Sequence, residues 1–142
     1  MRFDINRVDV WAGEVPDRRG SLANTLRALF DAGADLDFIM GRPSPVKPNT
    51  GILYVAPVEG EAQVQAAAAA GLVPSGLVPA LRIGGPDERG LAERIARALS
   101  DAGINIAAWM AGRMADRCVM HLRFERDEDL TRAEEVLKEV LK

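Results

Sequence analysis

Asp17-Arg18-Arg19-Gly20-Ser21-Leu22-Ala23 and Asp87-Glu88-Arg89-Gly90-Leu91-Ala92 are two versions of one phrase, and their likeness decides the fold. Setting Asp17 against Asp87 and sliding forward without a gap brings Arg19 to Arg89, Gly20 to Gly90 and Arg27-Ala28-Leu29 to Arg97-Ala98-Leu99. Asp31-Ala32-Gly33 then meets Asp101-Ala102-Gly103, Leu36 meets Ile106 and Met40 meets Met110. A single offset that spans a loop, a helix, a turn and a strand marks an internal duplication.

Working outward, Leu22, Leu26, Leu29 and Phe30 recur at helical spacing in the first copy, as do Leu91, Ile95, Ala98 and Leu99 in the second. Each set predicts one buried helical face. Gly33 and Gly103 stop the helices where the chain must turn through positive φ. Residues 34–39 and 104–109 read as strands, and 51–55 and 118–124 as the strands that return beside them. The first hairpin connection is long and stiffened by Pro43, Pro45 and Pro48, whereas the second turns quickly through Ala115-Asp116-Arg117. A second helix closes each copy, over 61–70 and 128–141, and a strand precedes each first helix, over 7–11 and 78–83.

The expected fold is therefore α+β: two ferredoxin-like βαββαβ units, over 1–75 and 76–142, with antiparallel sheets and helices on one face. A short strand at Leu72-Val73 closes the first unit, but the second lacks a clear last strand. That leaves an edge that something must cover. Units this small bury little surface, so the copies are expected to lean on each other, and a homodimer is expected to extend the contact.

Composition narrows the function. The 142 residues are 48% hydrophobic with a net charge of −3. Their pI is near 5.2 and the basic residues are dispersed, which gives no footprint for nucleic acid or anionic lipid. The opening residues lack the apolar run of a secretory signal and no stretch reads as a membrane span, so a cytoplasmic protein is expected. One cysteine and one histidine exclude an internal disulfide and a Cys/His metal centre of usual ligand count. No cofactor is expected.

The chemistry concentrates in the strand-to-helix turns. Glycine at a helix start lets a ligand approach the backbone, and the free N–H groups of the first turn attract a carboxylate. Asp17 and Asp87 can bind an ammonium group, which would complete a receptor for a zwitterion. They can equally cap the helices while Gly20 and Gly90 merely turn the chain. Arg19 and Arg89 either strengthen carboxylate binding or stand as solvated surface charges. His121 alternates with Cys118, Met120, Leu122 and Phe124, which places it on the outer sheet face or at a contact between sheets. Cys118 reads as a small core residue, and Trp11 and Trp109 as packing.

These residues resemble the ACT domains, regulatory modules that bind amino acids in enzymes of amino-acid and purine metabolism. Their motif, Asp-Arg-Pro-Gly-x-Leu-Ala, a helix ending in Ala-Gly and then Ile-Asn-Ile, is similar to residues 17–23 with 31–36 and to residues 87–92 with 101–106. Arg19 and Arg89 replace the usual proline. The resemblance implies that the turn of one copy faces the second strand of the other, which would bring Asp35, Asn105 and Ile106 to a site with Asp17, Arg19, Gly20, Ser21, Leu22, Asp87, Arg89, Gly90 and Leu91. It implies a non-catalytic sensor of an amino acid that acts on a regulated enzyme partner. Two alternatives stand beside it: an oligomerisation module without a ligand, and an acylphosphatase-like enzyme using Arg19 and Asn105.

Overall fold

The computed structural model describes residues 2–75 and 79–142. The chain forms two compact units, one of Asp9–Leu77 and one of Met1–Val8 with Val78–Lys142. The division differs from the one expected at residue 75, because the opening residues belong with the second unit. The single strand expected over 7–11 is two strands, β1 (Asp4–Val8) and β2 (Trp11–Pro16), and they enter different sheets.

In the first unit β2 leads into α1 (Ser21–Asp31), followed by β3 (Phe38–Pro43), β4 (Thr50–Ala56), α2 (Gly60–Ala69) and β5 (Val73–Pro74). The sheet order is β3-β4-β2-β5 and every pairing is antiparallel. Its core is Trp11, Leu29, Leu53, Val55, Ala67 and Leu72. The second unit runs β6 (Ala80–Pro86), α3 (Leu91–Asp101), β7 (Ala108–Met114), β8 (Arg117–Arg123) and α4 (Asp127–Val140). Its sheet order is β1-β6-β8-β7, also antiparallel. Two ferredoxin-like units are thus present, and β1 stands where the second copy's own last strand is missing.

Alternation explains why β1 fits that edge. Phe3 and Ile5 point inward, 1% and 8% exposed, while Asp4 and Asn6 point out. Room for the Phe3 ring comes from Gly85, where a Cβ would lie 2.4 Å from a ring carbon. Arg7 then reaches α4, donating to Glu134 Oε2 at 3.2 Å, Asp127 Oδ1 at 3.1 Å and Thr131 Oγ1 at 2.6 Å.

Both first helices begin on a left-handed glycine, Gly20 at φ 92° and Gly90 at φ 83°. They end alike: Gly33 N–H donates to Phe30 O and Ala34 N–H to Leu29 O, as Gly103 does to Ser100 O and Ile104 to Leu99 O. Residues 34–39 and 104–109 were expected to be strands, but pairing starts later, at β3 and β7. After the helix-ending bond the chain must cross from the helix layer to the sheet, a step of about 10 Å that takes about three residues.

A larger departure concerns α1. In α3 the buried row is Leu91, Ile95 and Leu99. The matching positions of α1 hold Ser21, Thr25 and Leu29, and of these only Leu29 is buried. Leu22 and Phe30, expected in the core, are 47% and 69% exposed. The common turns at both ends hold Leu29 and Leu99 inward, and an apolar row displaced by one residue is rotated by about 100°. His121, whose alternation placed it away from the core residues of β8, is itself buried at 6% exposure. Among the described residues no helix is long and apolar enough to cross a membrane.

Candidate functional site

Each strand-to-helix turn is tied to the hairpin of its own unit. Asp17 N–H donates to Asn49 O at 2.9 Å, and Asp87 N–H to Asp116 O at 2.7 Å. The N-cap in both helices is a glycine, so no side chain caps either, and the capping role open to Asp17 and Asp87 is not realised. Asn24 N–H returns to Gly20 O and Arg94 N–H to Gly90 O. The N–H groups ahead of them, at Leu22, Ala23, Ala92 and Glu93, have no partner within the helix.

Turn and hairpin enclose matching hollows. The first, of about 340 Å³, is lined by Val15, Asp17, Arg18, Leu22, Arg42 and Leu53 among others. The second, of about 390 Å³, has a floor of Leu91, Cys118 and Met120 and a rim that includes Asp87, Arg89, Gly90 and Arg113. Both are the size of small-ligand sites. Arg19, Gly20 and Ser21 stand in the first turn outside this lining. Asp35 is exposed on the connection between α1 and β3. Asn105 and Ile106 line a separate hollow of about 350 Å³ with Ser100, Gly103 and Ile104. That hollow lies beyond the end of α3 opposite Arg89, a helix of eleven residues or about 16 Å away. Within one unit, therefore, Arg89 and Asn105 do not share a site, while Arg19 and Asn105 fall in different units.

Charge separates the two hollows. Arg113 Nη1 lies 3.2 Å from Asp87 Oδ2 and supplies its counter-ion. Pro43 holds the matching place in the first unit. The neighbouring Arg42 donates instead to Tyr54 Oη at 3.1 Å, its guanidinium 5.7 Å from the ring centre. Asp17 has no ion-pair partner among the described residues. Arg113 and Arg42 escape sequence reading because they lie outside the repeated phrase; their only signal is a place near the end of each unit's first hairpin strand.

Glu88 sits beside the second turn, and its carboxyl is held below the ordinary value chiefly by the hydrogen bond from Arg2, with Arg94 adding to it. Burial pushes the Cys118 thiol up, and the Asp87 carboxylate acts in the same sense, so the sulfur on the hollow's floor stays protonated. Among the described residues no group of three or more His, Cys, Asp or Glu is placed to hold a metal ion.

No family model and no curated protein matches the chain. Solved structures do. A protein of Bacteroides thetaiotaomicron superposes with a TM-score of 0.75 at 16% identity, over 95% of this chain and 89% of that one. The ligand-free regulatory subunit of aspartate kinase from Thermus thermophilus gives 0.62 at 15% identity, over 99% and 97%. E. coli aspartokinase III, in complex with lysine and aspartate, gives 0.53 at 11% identity over 99% of this chain and 33% of that one. The chain thus shares its fold, two ferredoxin-like units, with regulatory subunits of aspartate kinase.

Proposed function

We propose that this chain is a non-catalytic regulatory protein that senses an amino acid through its strand-to-helix turns. The observation that carries the reading is the hollow repeated in both units. In each, unpaired helix N–H groups, an aspartate and an arginine converge beside an apolar floor. The N–H groups and the helix dipole receive the α-carboxylate. Asp17 in the first copy, and Asp87 in the second, receive the ammonium group. Leu22 and Leu91 lie beside the ligand's side chain, Gly20 and Gly90 let its backbone come close, Arg89 adds a polar contact at the rim of the second hollow, and Arg19 and Ser21 stand in the turn beside the first. The fold shared with aspartate kinase regulatory subunits supports a regulatory role, and the neighbour solved with lysine and aspartate supports an amino-acid ligand. Bound ligand acts on a partner enzyme or on the assembly of the chain.

The test is thermal denaturation with each of the twenty amino acids, lysine and aspartate foremost. A ligand at a hundred times its dissociation constant adds about 2.7 kcal/mol, a shift of several degrees. Asp17→Ala and Asp87→Ala are expected to weaken binding in calorimetry. Unchanged affinity in both would remove the turns from the site, and no stabilisation by any amino acid would favour a purely structural module.

A further inference from the structure

We propose that the first hollow selects an amino acid with an aliphatic side chain, such as valine or leucine, and that Gly41 sets the size it admits. This assignment rests on the sensing function above and adds the ligand class to it. Cross-strand pairing decides what the ligand meets. Val15 stands opposite Gly51, Gly51 opposite Pro43, and Gly41 opposite Leu53. Residues so paired share a sheet face, and Leu53, 1% exposed in the core with Leu29, identifies it as the face toward the helices. With Leu22 of α1 these residues form the floor and wall of the hollow. None of the six side chains ionises or donates a hydrogen bond. Arg42, one residue out of phase, turns its guanidinium to Tyr54 Oη instead.

Once the carboxylate is held at the first turn of α1 and the ammonium at Asp17, the ligand's side chain has the space over this floor. A charged end there loses water and meets no partner among those six residues, whereas each methylene laid on apolar surface tightens binding about fourfold. The second copy supplies the comparison. At the places of Gly41, Gly51 and Pro43 it carries Ala111, Cys118 and Arg113, larger side chains of which one is charged. The two glycines differ in what a side chain would touch. A Cβ on Gly51 would lie 3.5 Å from Arg42 O and 3.6 Å from Val15 Cγ2, in ordinary contact, whereas one on Gly41 would have no atom of the described residues within 4 Å. The space above Gly41 is open, and a ligand's side chain can fill it. Gly41 lies inside β3, a backbone that valine prefers, so the space can be closed from the protein's side without disturbing the strand.

Calorimetry of the full chain with alanine, valine, leucine, lysine and glutamate tests the assignment. The wild type is expected to bind leucine and valine about tenfold more tightly than alanine, and more tightly than lysine or glutamate by a similar factor. Gly41→Val, which fills the space, is expected to weaken leucine about tenfold and alanine by no more than about twofold, with the circular dichroism unchanged. Gly41→Ala, which places the second copy's residue there, is the milder variant should valine disturb the strand, and it shifts the preference in the same direction. Equal weakening of leucine and alanine overturns the proposal, since a loss of local structure would do the same. A Gly41→Val protein with the preference of the wild type overturns it as well. Lysine or glutamate bound as tightly as leucine overturns it and leaves the sensing function standing, whereas a wild type that binds none of the twenty amino acids overturns both.

Discussion

Arg113 and Asp87 bridge hairpin and turn at the mouth of the second hollow, whereas Pro43 leaves Asp17 without such a bridge in the first. The arginine side chain is 70% exposed, so the pair contributes at most about 1 kcal/mol to stability. Its effect on binding is larger, since a ligand ammonium at Asp87 must displace the guanidinium. Arg113→Ala is therefore expected to change the melting temperature by no more than a few degrees while tightening amino-acid binding at the second turn in calorimetry. An unchanged affinity would show that Arg113 does not compete with the ligand for Asp87.

Gly85→Ala places a methyl group 2.4 Å from the Phe3 ring, inside contact distance. The ring is 1% exposed, so overpacking costs about 1–3 kcal/mol. Urea denaturation measures this, and adding Phe3→Leu should recover part of the loss. Equal and additive losses in the two single variants would mean that the side chains do not meet.

Adjacent residues on α1 are expected to differ sharply. Leu29 is fully buried and its replacement by Ala costs about 2–5 kcal/mol, whereas Phe30→Ala changes the stability of the isolated chain by about 0.5 kcal/mol or less. Chemical denaturation at concentrations too low for association compares them. Similar losses would place Phe30 in the core.

Acid should loosen β1 selectively. The Glu134 carboxyl is held below its ordinary value, first by the hydrogen bond from Lys138 and then by that from Arg7, and Glu88 is lowered by Arg2. A lowered folded pKa contributes stability that is present above the unfolded carboxylate value, about 4.3, and is lost as pH falls through the folded value. Hydrogen-exchange protection of the β1 amides should therefore fall, as the pH drops below the ordinary carboxylate value, before that of β4 does. Glu134→Gln should flatten the trend. Parallel loss in both strands would assign acid sensitivity to the fold as a whole.

Much of this architecture is legible in the sequence because its signals are local. Gly20 and Gly90 start helices, Gly33 and Gly103 end them, and the in-register repeat multiplies the weight of each. The departures are non-local. Nothing in residues 4–8 names β6 as their partner, since alternation shows only that Phe3 and Ile5 share a face. Leu22 and Phe30 read as core because they lie with Leu26 and Leu29 within one broad apolar arc. Only the comparison with Leu91, Ile95 and Leu99 shows which part of the arc faces inward. In the site, the turn residues were found from their phrase, but Arg42 and Arg113 owe their positions to hairpin registers that no spacing rule gives.

The pairing of Ile5 with Ile83 also sets an order in time. During synthesis β1 leaves the ribosome long before β6 and β8, while residues 9–75 are contiguous and can close as soon as they emerge. Until then Phe3 and Ile5 travel without a sheet to join. Two copies that look symmetric when folded are thus unequal in their making: one completes itself, and the other waits for a strand issued before either copy began.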